Sequence, residues 1–109
     1  MPLPNQNELM TEQSLKIIEE ILAIPESKVS CYRDIALSAG LPNGARQVVR
    51  VLHSSSRKYN LPWHRIVRAN GFIALKNGNG AELQAELLRK EGVEVSGEGR
   101  VDLLKFGWY

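Results

Sequence analysis

The sequence predicts a mostly α-helical fold with a small β wing, of the winged helix-turn-helix type. Apolar residues recur at helical spacing in several segments, and a very short connection joins two of these segments. The pair Asn70-Gly71 separates two short apolar runs, as in a β-hairpin. The chain has 109 residues, of which 43% are hydrophobic, so we expect a single domain over residues 1–109.

The first predicted helix covers residues 6–24 and stops before Pro25, which cannot continue a helix. Its apolar residues recur at helical spacing, and its acidic residues lie away from them. The apolar stripe consists of Leu15, Ile17, Ile18, Ile21 and Leu22. We expect the later elements to pack on this stripe.

Two further helices follow in close succession, over residues 31–39 and 44–54. Gly40 ends the first of them, in the position that a left-handed helix terminus favours. On the second, Arg46, Arg50 and His53 share one face, and Val48, Val51 and Leu52 share the other. A basic face toward solvent is typical of the recognition helix of a helix-turn-helix unit. Two core helices that merely carry arginines would give the same pattern.

The wing is expected next. Residues 54–60 form a polar loop in this interpretation, and Ile66-Val67 begins a strand. The Asn70-Gly71 turn would pair that strand with residues 72–75.

The C-terminal part is predicted to contain one more helix, over residues 81–91, which ends at Gly92. Glu86 and Lys90 are spaced to form an ion pair on it. We expect Leu83, Leu87 and Leu88 to face inward, and the apolar segment 101–104 with Phe106 and Trp108 to fold back on the core.

Charge is distributed unevenly along the chain. Residues 28–76 contain nine Lys or Arg and one acid, a net charge of +8, whereas the flanks contain five basic residues and eleven acids, a net charge of −6. A basic centre between acidic ends favours a polyanionic partner and predicts nucleic-acid binding. A solvated helix face is the simpler alternative, although such faces usually mix both signs.

Composition also argues against several classes of protein. No apolar run approaches the roughly 20 residues of a membrane span, and no Cys/His cluster has the spacing of a zinc site. The single cysteine, Cys31, cannot form an internal disulfide. We therefore expect a cytoplasmic protein, nucleoid-associated if bacterial, without metal, cofactor or membrane contact.

Spaced matches to one known family run from residue 24 to residue 92. They are Ile24-Pro25, Val29, Tyr32, Ile35-Ala36, Gly40, Pro42, Ala45-Arg46, Pro62-Trp63-His64-Arg65-Ile66-Val67, Gly71, Leu87-Leu88 and Glu91-Gly92. In these residues the chain resembles the DNA-binding domain of O6-alkylguanine-DNA alkyltransferases. That family carries Pro-Cys-His-Arg, whose cysteine accepts the alkyl group, whereas Trp63 stands there in this chain. The resemblance is therefore to the alkyltransferase-like proteins.

The resemblance implies a DNA damage sensor rather than an enzyme. Alkyl transfer by in-line displacement needs a thiolate, and an indole is no comparable nucleophile. The expected partner is double-stranded DNA containing O6-alkylguanine, whose damaged nucleotide is flipped out through the minor groove and left alkylated. The resemblance further implies a monomer that flags the lesion for the damage-recognition proteins of nucleotide excision repair.

The resemblance also implies roles for individual residues. Arg46 intercalates in place of the flipped base, Tyr32 rotates its phosphate, and Trp63 lines the alkyl pocket. The other residues expected to contact the DNA or the lesion are Arg50, Pro62, Arg65, Val67 and Lys76, with residues 67–75 as a loop around the base. His64 and Glu91, which the enzymes use to activate the thiol, remain as a structural pair. Without the resemblance, a phosphate contact for Arg46 and core packing for Tyr32 and Trp63 would be the simpler interpretations.

Two departures from the family pattern and two other functions remain open. The recognition helix reads Gln47-Val-Val-Arg50 where the enzymes usually carry small residues, and Ser55 replaces a common asparagine. We assign Cys31 no catalytic role, because it lies far along the chain from the signature. The alternatives are a sequence-specific helix-turn-helix regulator and an active alkyltransferase that uses another nucleophile.

Overall fold

Five helices and a two-stranded sheet make up the computed structural model, which describes residues 11–108. The helices are α1 (Glu12–Leu22), α2 (Tyr32–Ser38), α3 (Ala45–Tyr59), α4 (Ala81–Lys90) and α5 (Leu103–Phe106), and the strands are β1 (Ser30–Cys31) and β2 (Ile66–Val67). A short 3₁₀ turn, Trp63–Arg65, precedes β2. The predicted mostly helical fold with a small sheet is confirmed, and residues 6–10 of the first predicted helix lie outside the described residues.

Helices α1, α2 and α3 pack together around the first of two apolar cores. The Thr11 hydroxyl caps α1 by accepting a hydrogen bond from the Ser14 backbone N–H at 3.1 Å. Ile17, Ile18 and Ile21 form the buried face of α1. Leu15 and Leu22 were expected in this stripe but are 45% and 52% exposed, because each lies about 100° or more around the helix from its centre.

Helix α3 is longer than the sequence predicted. It continues to Tyr59, so most of the expected polar loop 54–60 is helical. Ser55 is buried and follows Val48 and Val51 at helical spacing, so the inward face continues with a small polar residue that the apolar pattern does not reveal. Asn60, in the left-handed conformation, ends the helix.

The sheet pairs differently from the predicted wing. Strand β2 lies parallel to β1, with Ser30 opposite Ile66 and Cys31 opposite Val67. The predicted turn at Asn70-Gly71 is present. Across it, the Arg68 backbone N–H donates a hydrogen bond to the Phe72 carbonyl at 2.9 Å. Phe72 then bridges to Arg100 instead of extending the hairpin. Both strands are buried, so β2 needs a backbone partner inside the core, and β1 supplies it.

A second core joins β2, α4 and the C-terminal segment. It consists of Val29, Val67, Ala85, Leu88, Val93, Val95 and Val101. Gln84, Ala85 and Leu88 form the buried face of α4, whereas Leu83, expected inside, lies on the far side and is 50% exposed. The predicted Glu86–Lys90 ion pair is present at 3.5 Å.

The C-terminal segment folds back on the core in part. Val101 is fully buried, Phe106 packs against the second core, and the Trp108 backbone N–H donates to the Val29 carbonyl at 2.7 Å. The side chains of Leu104 and Trp108 remain 97% and 40% exposed, contrary to prediction. The last turn is held by backbone pairing and Phe106, so these two side chains are not needed in the core.

A polar junction around Glu91 ties the Trp63–Arg65 turn to the end of α4. The carboxylate accepts hydrogen bonds from Arg65 Nη2 at 2.9 Å and from the Ser27 backbone N–H at 3.1 Å, and it lies 2.6 Å from His64 Nε2. Arg65 Nη1 also donates to the Ile24 carbonyl at 2.9 Å. Burial opposes ionisation of this carboxyl, but the hydrogen bonds from Arg65, His64 and Ser27 outweigh it and lower its pKa to about 2.

No helix within residues 11–108 combines the length and the apolar character that crossing a bilayer requires. The same residues contain no group of three or more His, Cys, Asp or Glu side chains placed to hold a metal ion.

We expect Gly71→Ala to destabilise the protein by at least about 2 kcal/mol more than Gly92→Ala. Both glycines have φ near +90°, but a Cβ on Gly71 would collide with the backbone carbonyl oxygen of Val101, whereas one on Gly92 meets no heavy atom within 4 Å. Urea unfolding of the two variants measures the difference. Equal losses would mean that the turn at residue 71 is not held against residue 101.

We expect Glu91→Gln to lower the free energy of unfolding at pH 7 by about 2–4 kcal/mol, because it leaves the Arg65 guanidinium without its counter-charge. The folded-state pKa of about 2 lies below the ordinary 4.5. The stabilisation from Glu91 is therefore complete above about pH 4.5 and is lost as the pH falls toward 2. Urea unfolding at a series of pH values should show a shallower acid loss in the variant.

Glu94→Gln is the matched control for this experiment. Glu94 also pairs with a cation, Lys105, but its side chain is 74% exposed, so its removal should change the free energy of unfolding by less than about 1 kcal/mol. Glu91→Gln behaving like Glu94→Gln would contradict the structural role of the junction.

Candidate nucleic-acid interface

A cavity of about 300 Å³ lies where α2, α3, the Trp63–Arg65 turn and α4 meet. This volume is at the lower end of the range of roughly 300–1,000 Å³ for small-molecule sites. Its walls are mostly apolar, with a few polar groups. They are formed by Tyr32, Val49, Leu52, His53, Ser56, Trp63, Ala74, Leu75 and Gln84.

Two aromatic side chains that the sequence singled out line this cavity together. Tyr32 is the first residue of α2, and Trp63 begins the 3₁₀ turn, 31 positions later. The Trp63 ring meets the His64 ring edge-on, with centroids 6.0 Å apart, and His64 is in turn held by Glu91. Burial raises the pKa of the Tyr32 hydroxyl, with nearby Arg68 opposing, so Tyr32 presents a neutral hydroxyl at physiological pH.

Helix α3 presents a basic stripe directly beside its cavity-lining face. The stripe consists of Arg46, Arg50, His53 and Arg57, which are all exposed and recur at positions i, i+4, i+7 and i+11. Val49, Leu52 and Ser56 lie on the adjacent face and line the cavity. Cations and an apolar cavity mouth therefore share one surface of the protein.

Arg57 in this stripe was missed at the level of sequence. Its spacing from Arg46, Arg50 and His53 was visible, but the predicted helix ended before residue 57. The cavity-lining roles of five residues were also missed, because they depend on how α3 and α4 pack against the Trp63 turn. These residues are Val49, Leu52, His53, Ser56 and Gln84.

The remaining residues expected to contact DNA differ in their exposure and in whether they line the cavity. Arg46, Arg50 and Lys76 are exposed, and Lys76 directly follows Leu75 of the cavity wall. Pro62 is half-buried before Trp63 and does not line the cavity. Residues 74 and 75, the last two of the expected loop 67–75, do line it.

Arg65 and Val67 require correction. The Arg65 side chain is only 18% exposed and is occupied by Glu91 and the Ile24 carbonyl, so its charge serves the interior junction rather than a surface contact. Val67 is fully buried in β2 and packs in the second core. The predicted His64–Glu91 pair is present, and it is part of the same junction.

Cys31 does not line the cavity, although its neighbour Tyr32 does. It is 3% exposed, and its backbone pairs with Val67 in the sheet. Burial raises the pKa of its thiol, which keeps the sulfur protonated and weakly nucleophilic.

A larger groove of about 580 Å³ lies elsewhere, against α1 and α2 and beside Trp108. Glu20 and Asp34 line it together with Arg33. This mixture of charges suits a polyanion less well than the all-basic stripe of α3 does.

Comparison with known proteins places the chain in a family. The family model for the DNA-binding domain of 6-O-methylguanine DNA methyltransferase matches residues 12–93. The DNA base-flipping protein of Escherichia coli is 40% identical over 108 residues, which cover 97% of this chain and 83% of that protein. Alkyltransferase-like protein 1 of Schizosaccharomyces pombe is 33% identical over 104 residues, which cover 91% of this chain and 96% of that protein.

Solved structures agree with these sequence relationships. The crystal structure of S. pombe Atl1 in complex with damaged DNA containing O6-carboxymethylguanine superposes with a TM-score of 0.80 at 32% identity, over 90% of this chain and 95% of that one. The Mycobacterium tuberculosis O6-methylguanine methyltransferase shares the fold over 88% of this chain and 55% of its own, with a TM-score of 0.56 at 23% identity. The chain therefore belongs to the family of the 6-O-methylguanine DNA methyltransferase DNA-binding domain, among its alkyltransferase-like members.

Proposed function

We propose that the protein binds double-stranded DNA containing O6-alkylguanine, receives the flipped base in the cavity between Tyr32 and Trp63, and leaves the alkyl group in place. The observation that carries this proposal is the cavity itself, which Tyr32 and Trp63 both line and which lies beside a stripe of exposed basic residues. The complex of Atl1 with DNA containing O6-carboxymethylguanine supports it.

The first step is electrostatic. Arg46, Arg50 and Arg57 recur along about three turns of α3 on its exposed side, and such a row of cations attracts and orients the phosphate backbone without reading sequence. The duplex would then lie along α3 with the cavity mouth beside it.

The second step is extrusion of the damaged nucleotide through the minor groove. Unstacking a base costs a few kcal/mol, and stacking on an aromatic ring returns roughly 1–3 kcal/mol. Trp63 supplies such a ring in the cavity wall. In this proposal Arg46, which is exposed at the N-terminal end of α3, fills the gap in the stack with its planar guanidinium. The neutral Tyr32 hydroxyl is available to hold the flipped nucleotide.

The third feature is the absence of transfer. Displacement at the alkyl carbon requires a polarizable thiolate in the cavity, and the resemblance aligns Trp63 with the position where the enzymes carry it. The thiol of Cys31 is buried, protonated and outside the cavity walls. The bound lesion would therefore persist.

A persistent complex would serve as a signal. We propose that the bound protein flags the lesion for nucleotide excision repair in the cytoplasm or nucleoid, as the resemblance implies. The acidic flanks of the chain suit contacts with such partners, because they would avoid the phosphates that the basic centre attracts.

The direct test compares one duplex with and without O6-methylguanine. We expect tighter binding of the modified duplex and, after recovery of the DNA, an intact alkyl group and an unchanged protein mass. Trp63→Ala should weaken binding of the modified duplex about tenfold and leave binding of the unmodified duplex unchanged, because only the flipped base stacks on Trp63. Fluorescence anisotropy at fixed salt measures both.

Trp108→Ala is the control, since Trp108 is an exposed tryptophan in the separate groove and should not affect the preference. Equal affinity for the two duplexes would instead favour a sequence-specific regulator. Methylated protein would favour an active alkyltransferase.

The basic stripe has its own test. We expect Arg57→Ala to reduce the slope of log affinity against log salt concentration by about 0.9, equally for modified and unmodified duplexes, because one phosphate contact is lost. Lys90→Ala on α4 is the control, since Lys90 is 69% exposed but lies outside the stripe. An unchanged slope for Arg57→Ala would show that the last turns of α3 do not contact DNA.

A further inference from the structure

The two strands of the sheet end side by side, and a polar residue follows each of them. Strand β1 lies parallel to β2, with Cys31 opposite Val67. The residues that come next, Tyr32 and Arg68, therefore leave the sheet at the same edge and as neighbours. The sheet thus brings together a phenol hydroxyl and a guanidinium that are far apart in sequence.

The positive charge of Arg68 acts on the Tyr32 hydroxyl. Burial raises the pKa of that hydroxyl and the charge of Arg68 lowers it, so the two polar groups lie within electrostatic reach of each other. Tyr32 lines the cavity, whereas Arg68 is exposed and does not line it. A cation therefore stands beside the cavity wall that Tyr32 forms.

The backbone of Arg68 is held in place although its side chain is exposed. Its N–H donates to the Phe72 carbonyl at 2.9 Å, and its carbonyl accepts from the Gly71 N–H at 2.8 Å. The Val101 N–H donates to the Gly71 carbonyl at 2.9 Å, which ties this turn to the C-terminal segment. A side chain on a fixed backbone gives up less conformational entropy when it binds a ligand.

Neither side chain is occupied by another group within residues 11–108. No carboxylate in this part of the chain pairs with Arg68, and neither the guanidinium nor the Tyr32 hydroxyl makes a hydrogen bond there. A guanidinium has only donors, and a neutral phenol has one donor. Unpaired donors next to a positive charge fit an anion with several acceptor atoms. Phosphate is such an anion, and arginine binds it through two parallel hydrogen bonds.

We propose that Arg68 binds the phosphate of the flipped nucleotide, together with the hydroxyl of Tyr32. This inference rests on the function proposed above and adds to it a residue that distinguishes extruded from stacked DNA. A nucleotide whose base enters the cavity carries its phosphate toward the wall that Tyr32 forms. In a duplex with every base stacked, no phosphate is displaced in this way. The contact with Arg68 is therefore made only after extrusion.

This role differs from that of the basic stripe on α3. The arginines of the stripe contact phosphates whether or not a base is flipped, so the loss of one weakens binding of modified and unmodified duplexes alike. Arg68 lies on another element, directly after β2. Its loss should weaken mainly the complex with the extruded nucleotide. The ratio of the two affinities, which is the lesion preference, therefore separates the two roles.

The first test measures this preference in Arg68→Met, which removes the charge and all donors but keeps a long side chain. We expect binding of the O6-methylguanine duplex to weaken about tenfold, and binding of the unmodified duplex by less than about twofold. Arg68→Lys should recover part of the loss, because it restores the charge without the paired donors. Arg57→Met is the matched control and should weaken both duplexes equally. Fluorescence anisotropy at fixed salt measures all four affinities.

Methylphosphonate linkages then locate the contact on the DNA, because each removes the negative charge of a single phosphate. In the wild-type protein, neutralising one of the two linkages that flank O6-methylguanine should weaken binding about tenfold. In Arg68→Met the same linkage should have almost no effect, since its partner is gone, whereas in Arg57→Met it should keep its full effect. A methylphosphonate several linkages away should have the same effect in the wild type and in Arg68→Met.

The outcomes separate this inference from the function on which it rests. An unchanged lesion preference in Arg68→Met would overturn it, provided that the circular dichroism spectrum shows a folded protein. Additive effects of Arg68→Met and both flanking methylphosphonates would overturn it as well, and would make Arg68 at most a general phosphate contact. Both results would leave lesion binding by the wild type intact. A wild-type protein without preference for the O6-methylguanine duplex would refute the proposed function itself.

Discussion

The position of Trp63 depends on one largely buried carboxylate. Glu91, just after α4, binds Arg65 and His64 from the turn that Trp63 begins and the backbone of Ser27 before β1. Arg65 extends the junction to the carbonyl of Ile24 after α1. Segments that are distant in sequence therefore meet at a single charge. Because the hydrogen bonds outweigh the cost of burial, this charge persists at physiological pH.

This junction gives a physical reason for a His–Glu pair in a chain with no thiol beside it. The resemblance implies that the alkyltransferases use this His–Glu pair to activate their cysteine. Here the carboxylate compensates a largely buried guanidinium, and its loss would leave that cation unpaired.

Helix α3 combines attraction and selection on adjacent faces. Its exposed arginines suit contacts with a phosphate backbone, whereas Val49, Leu52 and Ser56 border the mostly apolar cavity in which we propose that the flipped base is bound. In the function proposed above, selectivity depends on what the cavity wall offers, above all the ring of Trp63. Separate surfaces for phosphate contacts and for base recognition suit a protein that binds DNA of any sequence weakly and DNA with a particular lesion more tightly.

The sequence by itself determined the family, the existence of α1 to α4 and the signature segment at Pro62–Arg65. Helical periodicity, the Asn70-Gly71 turn and the Pro62–Arg65 signature are local, so one chain reveals them. Only the tertiary structure decided the parallel pairing of β2 with β1, the continuation of α3 past Ser55, and the interior role of Arg65. Partners distant in sequence fix each of these, and the buried polar residues Ser55 and Gln84 leave no apolar signal by which to find them.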